Sequence, residues 1–179
     1  MAFIDFDPGP DAIIIGMEAS GVIRDEFRAR GFNAWSCDLR ECESWPRWHL
    51  RCNVFDIYRK GWLLGIFHPD CTYLTAAAEW AFSDPDYDRY PGVGYHQRVA
   101  SGTLVGEARR EARREARREA LNTVRTLLLD NPIPMVAIEN PQGAIGTNIR
   151  PADQIVHPFQ YGEDASKRTH LWLKGLPKL

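Results

Sequence analysis

Residues 11–31 read DAIIIGMEASGVIRDEFRARG, and their interpretation decides the fold. DAIIIGM is a short apolar run of the kind a buried strand gives. It enters the turn EASG, and VIRDEFRAR then follows a helical pattern closed by Gly31. Strand, glycine-bearing turn and helix in that order open an α/β unit, and the chain repeats the alternation. NAWSCDL reads as a second strand ending at Asp38, CNVFDI as a short third one ending near Asp56, and RECESWPRWHLR between them as loop. WLLGIF, unbroken in its apolar character, is a fourth strand running into HPDC, and MVAIEN is a fifth ending at Glu139. IVHPFQYG and THLWLKG could pair as two closing strands around EDASKR. The expectation is a mostly parallel sheet with right-handed crossovers and helices on both faces, with ligands at the carboxyl ends of the strands.

A chain of 179 residues suits one domain, spanning 1–179. With 44% hydrophobic and 26% charged residues it is neither a disordered nor a membrane composition. No apolar run approaches the roughly 18 residues of a membrane span, and MAFIDFDPGPD has no basic, apolar leader, so no membrane and a cytoplasmic location are expected. Cys37, Cys42, Cys52 and Cys71 contain no C-x-x-C pair and read as free thiols, with no metal site expected. Residues 79–106 are rich in Pro, Gly, Asp and Tyr and read as a long loop. Residues 107–130 form a helix in which the EARR repeat pairs glutamates with arginines three and four positions on. Only Leu121, Val124 and Leu128 give it a sustained apolar face, so its first half should project or lie solvated on the surface. Glu107 to Arg125 holds seven arginines and four glutamates, leaving fifteen basic against twenty acidic residues elsewhere. A broad basic footprint for nucleic acid is therefore absent.

The strand ends align Glu18 to Gly21, Asp38, Asp56, His68 to Cys71, and Glu139 with Asn140 along one edge. A glycine in the first turn lets a ligand approach the backbone, and an acid ending the second strand can accept both hydroxyls of a ribose. The full G-x-G-x-x-G phosphate cradle is missing, which disfavours a dinucleotide and leaves room for a nucleoside cofactor without phosphates, such as S-adenosylmethionine. Individually, Glu18, Asp38 and Asp56 read equally well as helix caps or turn acids.

In order, EASGVIRDEFRARGF, the acids of SCDL and CNVFDI, the corner HPDCTYL, ENP and QYGEDASKRTHLWL resemble the motifs of the carbon-5 cytosine DNA methyltransferases. The likeness is nearer to small phage-type methylase-like proteins, which would place the chain in a host cytoplasm. The resemblance implies a Rossmann-like S-adenosylmethionine-dependent fold and methyl transfer to carbon 5 of cytosine in DNA. It implies Cys71 as nucleophile toward carbon 6, Glu139 as the acid at ring nitrogen 3 with a raised pKa, Asn140 fixing the loop, and Arg168 at the base or its phosphate. Glu18, Ala19, Ser20 and Gly21 would hold the methionine part of the cofactor, Asp38 the ribose, Asp56 the adenine amino group, and Pro69 the cofactor-facing corner. His68, Thr72, Trp80 and Lys167 would contact the substrate. Asp70 replaces a proline of the family's corner, adding negative charge beside the thiol that His68 or Arg168 would offset. No target-recognition region follows LWLKGLPKL, so two other readings stay open. One is modification of a free pyrimidine nucleotide or another base by the same chemistry. The other is a catalytically silent protein that binds nucleic acid or a partner. A homodimer lending the missing surfaces is a further expectation, with the EARR helix as its contact.

Overall fold

The computed structural model describes residues 6–82 and 106–179. Its strands are β1 (Ile13–Gly16), β2 (Ala34–Asp38), β3 (His49–Arg51), β4 (Leu64–Phe67), β5 (Met135–Pro141), β6 (Gln154–Val156) and β7 (Thr169–Lys174). They form one mixed sheet in the order β3-β2-β1-β4-β5-β7-β6. The first five strands in that order are mutually parallel, and β7 runs antiparallel to both β5 and β6. From β1 the chain winds outward through β2 and β3, then returns to β4 on the other side of β1. That reversal opens a crevice above the carboxyl ends of β1 and β4.

β1 shows why the sequence makes a sheet with two covered faces. Ala12 and Ile14 join the larger core with Phe67, Val124, Leu127 and Trp172, whereas Ile13 and Ile15 join Ala34, Ile23 and Phe27 on the opposite side. Each fully buried isoleucine contributes about 2 kcal/mol of transfer free energy. Ile23 and Phe27 belong to α1 (Val22–Ala29), which starts from Gly21 at φ 76°. A Cβ at Gly21 would come within 2.4 Å of Ser44 Oγ and 2.5 Å of the Arg24 guanidinium, so conformation and space both require glycine there.

The larger core is closed by α2 (Gly106–Leu129), with Leu121, Val124, Leu127 and Leu128 buried. The charged half of α2 does not simply project into solvent, contrary to expectation. Arg113 is 1% exposed and lies over the rings of Tyr73 and Phe82, at 5.6 and 5.1 Å from their centroids. Arg117 donates from Nε to the Tyr73 carbonyl at 2.8 Å, pairs with Glu79, and stacks on Phe82. Positions 113, 117, 121, 124 and 128 fall on one stripe of a helix, so the apolar face continues as two guanidinium planes on aromatic rings. Outward, Arg118 still pairs with Glu111 and Glu115.

Other expectations need correction. The third strand is His49–Arg51, inside the stretch read as loop, paired Ser36↔His49 to Asp38↔Arg51. CNVFDI instead forms a 3-10 helix over Val54–Asp56. Val54 and Ile57, three apart, both pack into the core, which is a helical and not an alternating spacing. Of the expected loop over 79–106, residues 79–82 belong to a 3-10 helix, Ala76–Phe82, Gly106 opens α2, and residues 83–105 lie outside the described residues. IVHPFQYG contributes only the end of β6 before a 3-10 turn over Pro158–Tyr161. A five-residue helix, α3 (Ala144–Asn148), went unread. Among the described residues no helix is long and apolar enough to cross a membrane.

Candidate functional site

A cleft of about 710 Å³ opens at the carboxyl edge of the sheet, over the ends of β1, β2, β4 and β5. The register of the strands explains what meets there. Phe67 of β4 pairs with Ile138 of β5, so the next residues, His68 and Glu139, stand side by side, with Pro69 beside Asn140. His68 Nδ1 lies 3.3 Å from Glu139 Oε2, and Asn140 donates from Nδ2 to the Pro69 carbonyl at 2.7 Å. The motifs HPDC and ENP, 71 positions apart, are thus tied together by adjacent strand ends. The Asn140 bond, 1% exposed, also holds the peptide two residues before Cys71.

Cys71 lines the cleft at the head of a tight turn, its carbonyl accepting from the N–H groups of Leu74 and Thr75. The turn is braced from below. Ala144 N–H donates to the Leu74 carbonyl at 2.7 Å, and a Cβ on Gly143 would lie 1.8 Å from that same oxygen, so only glycine fits. Arg117 holds the Tyr73 carbonyl from the other side. Asp70, at the same corner, is exposed. Its Oδ1 accepts from the Thr72 amide at 2.8 Å and hydroxyl at 2.6 Å, on the exposed side of the corner.

Electrostatics at Glu139 run opposite to expectation. The hydrogen bond from His68 holds its carboxyl below the usual value, outweighing the upward push of burial, with the Lys167 charge adding to the depression. Lys167 lines the cleft, as does Arg40 beyond the end of β2, whereas Arg168 donates to Gln142 Oε1 at 3.1 Å and does not line it. Arg168, expected at the base or its phosphate, therefore lies outside the cleft, and its neighbour lines it. Both residues lie directly before β7 (Thr169–Lys174).

On the β1 and β2 side, Asp38 lines the cleft, with Oδ1 accepting from the Arg40 amide at 2.8 Å. Glu18, Ala19, Ser20 and Gly21 do not line it. Glu18 Oε1 accepts from the Gly21 amide at 2.8 Å and from the Ser20 hydroxyl, so the carboxylate closes the turn before α1, while Oε2 is enclosed without a partner. Asp56 is exposed on its 3-10 helix and does not reach the cleft. Asn53 takes that place, its Oδ1 capping the 3-10 helix through the Phe55 amide at 3.0 Å. Thr72, tied to Asp70, does not line the cleft, and the Trp80 side chain lies outside the described residues.

Residues absent from the sequence reading complete the walls. Met17, directly after β1, has φ 62°, a strained conformation for a side-chain-bearing residue, and lines the cleft. Thr123 reaches it from α2, and Cys52 sits 3.7 Å from the buried Cys37 thiol. Burial raises the pKa of both thiols and keeps them protonated. No composition or spacing signal marks Met17 or Thr123, since each enters through tertiary placement alone. Among the described residues no group of three or more His, Cys, Asp or Glu is placed to hold a metal ion. Compared with protein-family models, curated proteins and solved structures, the chain matches none.

Proposed function

We propose that the chain transfers a methyl group from S-adenosylmethionine to carbon 5 of cytosine in DNA through a covalent bond to Cys71. The observation that carries this reading is the meeting of Cys71 and Glu139 in one cleft, on adjacent strand ends, with Asp38 across the strand-order reversal. The order 3-2-1-4-5 is also that of doubly wound nucleotide-binding sheets.

The cleft suits a nucleoside cofactor on the β1 and β2 side. Asp38 keeps Oδ2 without a hydrogen bond, available to ribose hydroxyls, while Asn53 and Phe55 would flank the base. Bound there, S-adenosylmethionine supplies the methyl group from its sulfonium. The protein's own tasks lie on the β4 and β5 side. The Cys71 sulfur attacks carbon 6 of the pyrimidine, which makes carbon 5 nucleophilic. The Glu139 carboxyl contacts nitrogen 3, where negative charge would otherwise build, and moves a proton to it. Lys167, in the same cleft, balances the charge at the carbonyl oxygen or a phosphate. Loss of the carbon-5 proton then expels the thiolate.

The test is label transfer from methyl-labelled S-adenosylmethionine to DNA and, separately, to free dCMP, with adduct trapping on 5-fluorocytosine DNA. Label in DNA and an adduct lost in Cys71→Ala is the expected result. Label only in dCMP transfers the same chemistry to a nucleotide. Cofactor binding without label in either substrate favours a silent binder, and no binding of S-adenosylmethionine overturns the proposal.

A further inference from the structure

The geometry points to His68 as a positioning residue that holds Glu139 by one oxygen and leaves the other for the pyrimidine; this inference rests on the carbon-5 reading above. The contact joins Nδ1 to Oε2, at 3.3 Å. Oε1 has no hydrogen-bond partner among the described residues, and Glu139 lines the cleft with Cys71. The imidazole is itself constrained. Its backbone N–H donates to the Gly16 carbonyl at 3.0 Å, continuing the β4 ladder, and its Nε2 is enclosed without a partner among the described residues. An N–H at Nε2 would be buried with nothing to accept it, so the ring holds its proton at Nδ1, pointed at Oε2. His68 is thus a fixed donor to the carboxylate.

This assignment gives the attack step a closed proton balance. Cys71 begins as a thiol; the sulfur forms its bond to carbon 6 as the S–H bond breaks. The released proton passes to Oε1 and from there to nitrogen 3, so the base gains one proton and the carboxylate returns to its starting state. His68 neither gains nor loses a proton; its N–H stays on Oε2 and favours the charged carboxylate on either side of the transfer. Glu139 is acted on by the His68 N–H at the end of β4 and by the charge of Lys167 from the segment before β7, with Asp38, Arg40 and Asp70 sharing the cleft. On β7 the residue paired with Glu139 is Leu171, which carries no charge.

The experiment follows the Glu139 carboxyl carbon by NMR through an acid titration of the full chain. It compares wild type, His68→Leu, which removes the donor, and His68→Asn, whose side-chain amide can replace Nδ1. Adduct formation on 5-fluorocytosine DNA is timed in the same proteins. The Glu139 midpoint should rise in His68→Leu and return toward wild type in His68→Asn, with adduct formation slowed roughly tenfold to a hundredfold in the first and largely restored in the second. A midpoint unmoved in His68→Leu, or adduct formation at the wild-type rate, would overturn the role given to His68. If His68→Leu does not fold, a wild-type midpoint reproduced in His68→Asn supports the donor role, and one shifted as far as an exposed glutamate overturns it. A wild-type protein that forms no adduct overturns the carbon-5 reading instead, whatever the titration shows.

Discussion

Glu139 and Glu18 are both acids at the carboxyl ends of central strands, yet the two sides of the strand-order reversal treat them differently. At the end of β5, Glu139 keeps one oxygen open to the cleft beside Cys71 and Lys167. Near the end of β1, Glu18 turns back onto the Gly21 amide and Ser20 hydroxyl, and the neighbouring Arg24 is wholly buried. Arg24 donates to Asp25, Ser36, Ser44 and the Trp45 carbonyl, tying α1, β2 and the following loop into one body. Glu139 is left open to the cleft, and Glu18 with Arg24 holds the scaffold. Substitutions on the first should change chemistry, and those on the second should change stability.

The largest expected effect is at Cys71. Cys71→Ala should abolish the adduct on 5-fluorocytosine DNA while altering unfolding in urea by less than about 1 kcal/mol; a surviving adduct would break the contrast at its centre. Next comes Gly143→Ala, which drives a Cβ into the Leu74 carbonyl behind the nucleophile turn. It should lower stability by roughly 3 kcal/mol in urea melts and slow the adduct as well, because the turn and the scaffold meet there. Around Glu18, Arg24→Leu removes a buried guanidinium that donates to Ser36, Ser44 and the Trp45 carbonyl and should also lower stability by roughly 3 kcal/mol, with cofactor binding by calorimetry reduced less than tenfold.

A smaller effect separates the two sides by pH. The Glu139 carboxyl lies below its usual value, so the stability it contributes is complete above about pH 5 and is lost as pH falls through the depressed value. Glu139→Gln should therefore lose less stability than wild type between about pH 6 and pH 3 in denaturant titrations. An unchanged slope would mean that the His68 contact adds nothing to folding. At the bottom of the scale, Arg118→Ala on the outer face of α2 should leave urea stability unchanged, because its partners Glu111 and Glu115 are solvent-exposed. Arg117→Ala, one position away but turned inward, should destabilise by about 1–2 kcal/mol.

Much of this arrangement was legible in local pattern. Strands β1, β2, β4 and β5 announce themselves as short apolar runs, because a strand covered on both faces needs apolar side chains at successive positions. His68, Cys71, Glu139 and Asn140 could be nominated because they directly follow such runs. β3 could not be read, since HLR carries no apolar alternation and is a strand only through its pairing with β2. The exchange of Asp56 for Asn53 follows from that error: with the strand moved upstream, the residue emerging at the cleft moves too. Which of Lys167 and Arg168 lines the cleft depends on tertiary placement, and adjacent basic residues give no clue to that.

The sequence by itself determined the alternation of strand and helix, the order of the strand ends and the residue types placed on them, because hydrophobic periodicity and turn chemistry act over a few residues. Only the tertiary structure decided which of those polar groups stay open and which are consumed within the fold. That choice depends on the register between β4 and β5, on the stripe of α2 that carries Arg113 and Arg117 inward, and on the close approach of Gly143 to Leu74. Each is a contact between segments distant in the chain, and short-range pattern carries no information about distances of that kind.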